Sequence, residues 1–224
     1  MFLRTKDSKG YVNMSYTVLL DFLKQNSNKA GKIQDTIELR CFVPFVKAEI
    51  DDDMFHWVFS SFDIDRSLER IDPCGWELEH YKSNPVILWA HNSAIPAIGY
   101  AKNVTCDTEL KGDVVFNDKS FDQFGWSIGQ RVKYGSIRSG SVGLLLKEVE
   151  FVDKKKTPDE KAEVIFRQQE LLEFSICNVP QNPFATVEHT LGKSNEQDVE
   201  ESYDFFSNII TGGTIRGKSA DNCA

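Results

Sequence analysis

The strongest constraint on this chain is a succession of short strand-like segments broken by one clear stretch of helical period. Ile37-Glu38-Leu39-Arg40-Cys41-Phe42-Val43 alternates apolar and polar residues, as a strand with one buried face must. Phe55–Phe59 is a second strand candidate. Pro85-Val86-Ile87-Leu88-Trp89-Ala90 is almost wholly apolar and reads as a buried strand that ends at His91. Val104–Thr108, Leu110–Phe116, Ser141–Leu146, Glu148–Val152, Val164–Phe166 and Leu171–Val179 continue the series. From Ser120 to Tyr134 the period changes. Phe121, Phe124, Ile128 and Val132 recur at steps of three and four, which predicts an amphipathic helix stopped by Gly135. Strand and helix do not alternate evenly, so a doubly wound parallel sheet is disfavoured. The pattern predicts an α+β, β-rich fold with a barrel or sandwich core and peripheral helices.

The boundaries follow from composition. Residues 1–35 read as an N-terminal extension around one helical pattern, Tyr16–Lys24. Residues 36–189 hold the regular signal and form the expected domain. After His189 the chain turns polar and rich in Gly, Ser and Asn, so 190–224 reads as a flexible tail. A net charge of −8 argues against an exposed nucleic-acid surface, which needs clustered Lys and Arg. No apolar run approaches the ~20 residues of a membrane span, and no secretory signal shape is visible, which predicts a cytosolic protein. The five cysteines (Cys41, Cys74, Cys106, Cys177 and Cys223) never come within four residues of one another. They predict free thiols rather than a disulfide framework or a metal knuckle. Asp51-Asp52-Asp53 lacks the alternate ligands, central Gly and terminal Glu of a calcium loop and reads as a solvated turn.

Two serine contexts compete for chemistry. Gly125-Trp126-Ser127-Ile128-Gly129 matches the nucleophile elbow of α/β-hydrolases, with Asp153 or Asp159 and then His189 in the right chain order. The elbow, however, must follow a strand and open a helix, whereas Ser127 lies inside the helical pattern. Ser139-Gly140-Ser141-Val142-Gly143 instead sits after the helix stop and enters a strand, with the nucleophile open between Ser139 and Ser141. Of the histidines, His56 and His80 have no strand to fix them and His189 adjoins the tail. His91 alone ends a buried strand. Glu173 fronts the apolar strand Phe174–Val179, where a carboxylate needs a hydrogen-bonding partner such as an imidazole N–H. A serine needs a base to take its proton, and that histidine needs an acceptor to hold its tautomer. Alternation places Glu173, Ser175 and Cys177 on one face of the strand. It places Glu170, three residues earlier, on the other face, solvated.

Four motifs in order, Leu88-Trp89-Ala90-His91, Gly140-Ser141-Val142-Gly143, Leu171-Leu172-Glu173-Phe174-Ser175 and Pro180-Gln181-Asn182-Pro183, resemble the prohead maturation proteases of tailed bacteriophages. That family is distantly related to the herpesvirus assemblins, and the likeness spans roughly 37–188. The turn Ile95-Pro96-Ala97-Ile98-Gly99 is one residue longer than the family's, and Leu144 stands where an aromatic is usual. The resemblance implies an assemblin-like β-barrel with surrounding helices and a serine endopeptidase with Ser141 and His91 as catalytic pair. Glu173 completes the triad by its place in the motif. By position, Gln181 and Asn182 are the oxyanion candidates. The implied substrates are scaffold and major capsid protein precursors, and the protease itself, inside the assembling prohead in the host cytoplasm. Homodimers or assembly-dependent activity are also implied, with no metal and no cofactor, while charge and the short apolar runs add no nucleic acid and no membrane. A capsid-assembly protein that keeps the fold without activity is the alternative.

Overall fold

A computed structural model describes residues 2–5, 12–13, 15–41, 50–51, 54–65 and 67–178. The elements are β1 (Phe2–Thr5), β2 (Val12–Asn13), α1 (Tyr16–Asn26), β3 (Lys32–Cys41), β4 (Ile50–Asp51), β5 (Met54–Ser60) and β6 (Glu69–Ile71). After a 3₁₀ turn (Pro73–Gly75) come β7 (Trp76–Glu77), α2 (Glu79–Ser83), β8 (Val86–Trp89), β9 (Gly99–Cys106) and β10 (Leu110–Phe116). They are followed by α3 (Gln123–Tyr134), β11 (Ser139–Phe151) and β12 (Val164–Cys177). The fold is β-rich α+β: the twelve strands of the described residues belong to one mixed sheet. Residues 2–35, expected as an extension, supply β1, β2, α1 and the start of β3 to this body. The expected tail lies outside the described residues, as do Phe42 and Val43.

The sheet is built around β12. Along one edge it pairs antiparallel with β11 for its whole length. Along the other it pairs in parallel with three short strands in turn. Its start meets β6, its middle β7, and Phe174–Ile176 meet β8. The path then runs from β8 through β9, β10 and β5 to β4, while β11 leads the other way through β3 and β1 to β2. The sheet curls far enough that Phe59 of β5 stacks on Phe174 of β12, with ring centroids 4.0 Å apart, and Trp57 meets the same ring edge-on at 5.6 Å. Burying each such aromatic side chain is worth about 1.5–3 kcal/mol. The expected closed barrel is not formed, because among the described residues no ladder joins the two ends of the path. Those ends are the two-residue strands β2 and β4, each paired only with its neighbour on the path.

Two pairs of expected strands are each one strand here. β11 and β12 run unbroken through Lys147 and Gln168 because register shifts after Gly143, Leu146 and Glu148 absorb the lost alternation. The expected helix 120–134 begins at Gln123, since the Asp122 carboxylate accepts from Gly125 N–H at 2.9 Å and caps it there. It stops at Gly135, which takes the left-handed φ of 88°. No helix among the described residues is long and apolar enough to cross a membrane.

One buried carboxyl sets a pH dependence. Glu69 opens β6, is 2% exposed, and neither carboxylate oxygen has a hydrogen-bond partner among the described residues. Burial, and then the neighbouring Asp65 carboxylate, hold its carboxyl well above the ordinary 4.5. The folded chain therefore binds this proton more tightly than the unfolded chain. Its stability falls as pH rises from the ordinary value toward the folded one. Glu69→Gln should flatten the fall of the thermal midpoint as pH rises above the ordinary carboxylate value of 4.5. Identical slopes for the two proteins in a thermal melt series would disprove this.

Candidate active site

The apolar strand β8 delivers a histidine to the outer end of β12. Leu88 and Trp89 pair in parallel with Ser175 and Ile176, and Ala90 N–H still donates to the Ile176 carbonyl at 2.9 Å. There the strand breaks. Ala90 and His91 both take left-handed φ values, 51° and 58°, at a cost of order 1–3 kcal/mol each for residues with a Cβ. Tyr81 of α2 donates its hydroxyl to the Val86 carbonyl at 3.1 Å and fixes the start of the same strand. The turned backbone of His91 donates its N–H to Ser175 Oγ at 3.0 Å. Its ring is thereby laid over the β11–β12 pair, where His91 is 3% exposed.

The ladder supplies the other two groups. Ser141 stands directly opposite Ser175, and Gly143 directly opposite Glu173. His91 Nε2 lies 2.5 Å from Ser141 Oγ, and His91 Nδ1 is hydrogen-bonded to Glu173 Oε1. Glu173 Oε2 accepts from Ser175 Oγ at 2.7 Å. A Cβ at position 143 would fall on the Glu173 carboxylate, so the glycine of Ser-Val-Gly leaves the space in which that acid lies across the strand. Ser139 shares the face but turns elsewhere, donating to the Cys177 carbonyl at 2.9 Å. Of the two serines left open by sequence, Ser141 is thus the one that meets the histidine. Ser141 and Ser175 have no exposed surface and Glu173 is 8% exposed, so the chain of bonds is dry and each is strengthened by the low local dielectric.

The surroundings are chemically quiet. Burial, reinforced by the Glu173 carboxylate and opposed by Ser139, pushes the Cys177 thiol up to about 12, so it stays protonated beside the site. Burial and Glu173 likewise raise Tyr81 far above its usual range. Cys74, Cys106 and Cys177 are free thiols. No group of three or more His, Cys, Asp or Glu among the described residues could hold a metal ion.

The remaining candidates fall elsewhere. Ser127 is buried inside α3 and donates to the Phe124 carbonyl at 2.8 Å, the bond of a helix-packing hydroxyl rather than an elbow. Asp153 and Asp159 lie in the exposed β11–β12 connection, and His189 is outside the described residues. His56, expected without a strand to fix it, instead lies on β5 and pairs with Asp113 of β10 at 2.5 Å. His80, expected without a fixing element, lies on α2 and bonds Glu170 at 2.9 Å. Glu170 also meets Lys147 at 3.2 Å. Glu170 is not on the opposite face from Glu173, as alternation predicts. The shift after Gly143 sets two β12 residues against one of β11, so Leu171 and Phe174, three apart, both enter the hydrophobic core and both glutamates lie on the face away from it. The oxyanion candidates Gln181 and Asn182 lie outside the described residues. What sequence reasoning missed is Ser175 as a bonding partner. Its signal was available, since alternation puts it on the face of Glu173.

Chemically, the arrangement is a hydroxyl, a base in contact with it, and an acid orienting the base, as nucleophilic acyl transfer requires. Comparison with protein-family models, with curated proteins and with solved structures finds no match for this chain.

Proposed function

We propose that this chain is a serine endopeptidase of the capsid-maturation kind, acting through Ser141, His91 and Glu173. The observation that carries the proposal is the continuous contact from Ser141 Oγ through both ring nitrogens of His91 to Glu173. Ser141 Oγ attacks a peptide carbonyl carbon while His91 Nε2 takes its proton. The tetrahedral adduct collapses to an ester on Ser141 as His91 returns the proton to the departing amine. Water then attacks the ester, His91 again taking and returning a proton, and a carboxylic acid leaves. Glu173 holds the ring and stabilises the imidazolium formed in each half. The order of motifs supports scaffold and capsid precursors as substrates within an assembling shell, and an assemblin-like ancestry for the curled sheet.

One observation favours the alternative of a capsid-assembly protein without activity: Ser141 is fully covered in this conformation. A labelled fluorophosphonate separates the two. The expected result is label on the tryptic peptide 139–147, lost in Ser141→Ala. Label on the peptide ending at Arg131 would move the chemistry to Ser127 and an esterase. Absence of label from both free and assembled protein would leave the scaffold role.

A further inference from the structure

We infer that Ser175 is a positioning residue that fixes the tautomer of His91, an inference that rests on reading Ser141, His91 and Glu173 as one catalytic unit. The protons can be assigned by counting donors. The backbone N–H of His91 can only donate, so Ser175 Oγ accepts there at 3.0 Å. The hydroxyl proton of Ser175 is then directed to Glu173 Oε2 at 2.7 Å, which makes that oxygen an acceptor. With Oε2 accepting from Ser175, a Glu173 carboxylate has no proton to give, and Oε1 accepts from His91 Nδ1. The proton of the neutral ring sits on Nδ1, and the Nε2 lone pair faces Ser141 Oγ at 2.5 Å, ready to receive its proton.

The same hydroxyl ties the acid to the backbone of the base. Ala90 and His91 hold unfavourable left-handed φ values, and β8 contributes only four residues of strand ahead of them. The bond from His91 N–H to Ser175 fastens that turn to β12, the strand that bears Glu173. Acid, base backbone and nucleophile strand are registered to each other through one side chain, because Ser175 pairs with Leu88 on one side and with Ser141 on the other. Without the hydroxyl, Glu173 Oε2 is a buried lone pair with its donor gone, and the carboxyl can rotate or take a proton. Either change lets the ring place its proton on Nε2, where it blocks the serine.

The test uses the full-length protein and three readouts. In Ser175→Ala, kcat on a precursor substrate should fall about 10- to 100-fold, the scale seen when a hydrogen-bond partner behind a functional histidine is removed, with KM unchanged. The low-field proton NMR resonance of His91 Nδ1–H, assigned by its loss in His91→Ala, should broaden or shift. Ser175→Thr, which keeps the hydroxyl, should retain turnover and the resonance. Thermal melts report folding for each variant. An unchanged resonance in Ser175→Ala, or a loss seen only in KM, would make Ser175 a packing residue and overturn the inference. The resonance needs no substrate. If the wild-type protein cleaved nothing, the resonance would still decide the role of Ser175. If cleavage were established and the resonance did not respond, only the positioning role would fall.

Discussion

Ser141→Ala is expected to stop cleavage of a precursor substrate, lowering turnover by about six orders of magnitude, the scale of losing a nucleophile or its base from such a unit. The physical reason is that Ser141 Oγ is the hydroxyl seated 2.5 Å from His91 Nε2 in a site from which solvent is excluded. Water cannot simply take its place without opening the site. His91→Ala should cost as much, and the double variant no more than either single one, because members of a unit are not additive. The fold should survive, since alanine removes one oxygen from a strand whose ladder to β12 is main-chain. Ser139→Ala is the control for register. Its hydroxyl serves the Cys177 carbonyl, so turnover should stay near that of the unsubstituted protein. Single-turnover cleavage followed by gel would check the set. Retention of cleavage in Ser141→Ala with its loss in Ser139→Ala would place the nucleophile two residues earlier.

Glu173→Gln is expected to lower kcat by about 10⁴, equivalent to about 5.5 kcal/mol of transition-state stabilisation. The shape is conserved but the donor pattern is inverted. An amide nitrogen facing His91 Nδ1 donates, so the ring must accept there and carry its proton on Nε2, toward Ser141. The amide also cannot offset the imidazolium charge. Glu170→Gln should change turnover little. That side chain faces outward with its partners His80 and Lys147, a half-exposed pairing worth about 0–1 kcal/mol. Initial rates at saturating substrate distinguish the pair, and the reverse ranking would reassign the acid to Glu170.

The contrast between these glutamates also marks the limit of alternation. Period two places Glu173, Ser175 and Cys177 together correctly, because no irregularity interrupts Glu173–Cys177. It misplaces Glu170, because one bulge between Gly143 and Leu144 reverses parity. A bulge depends on how two strands pair, and neither strand encodes it alone. The glycine of Ser-Val-Gly illustrates the same point. In sequence it is one residue of the expected strand Ser141–Leu146, and only its position opposite Glu173 gives it the task of making room for a carboxylate. The short helix α2 was not legible either. Five residues offer no period to detect, yet its Tyr81 secures the start of β8.

Local chemistry by itself determined the β-rich class, the helix ending at Gly135, the buried strand ending at His91, and the three residue types that acyl transfer needs. These rest on period, β-branched and apolar content, and the left-handed backbone that glycine tolerates, all of which act over a few residues. Tertiary structure alone decided that the sheet curls without closing and that Ser141 rather than Ser139 meets the base. It also decided that Ser175 joins acid to base. The last two outcomes depend on pairing between residues 34 and 84 positions apart, Ser141 with Ser175 and His91 with Ser175, where register is set by the summed packing of whole strands.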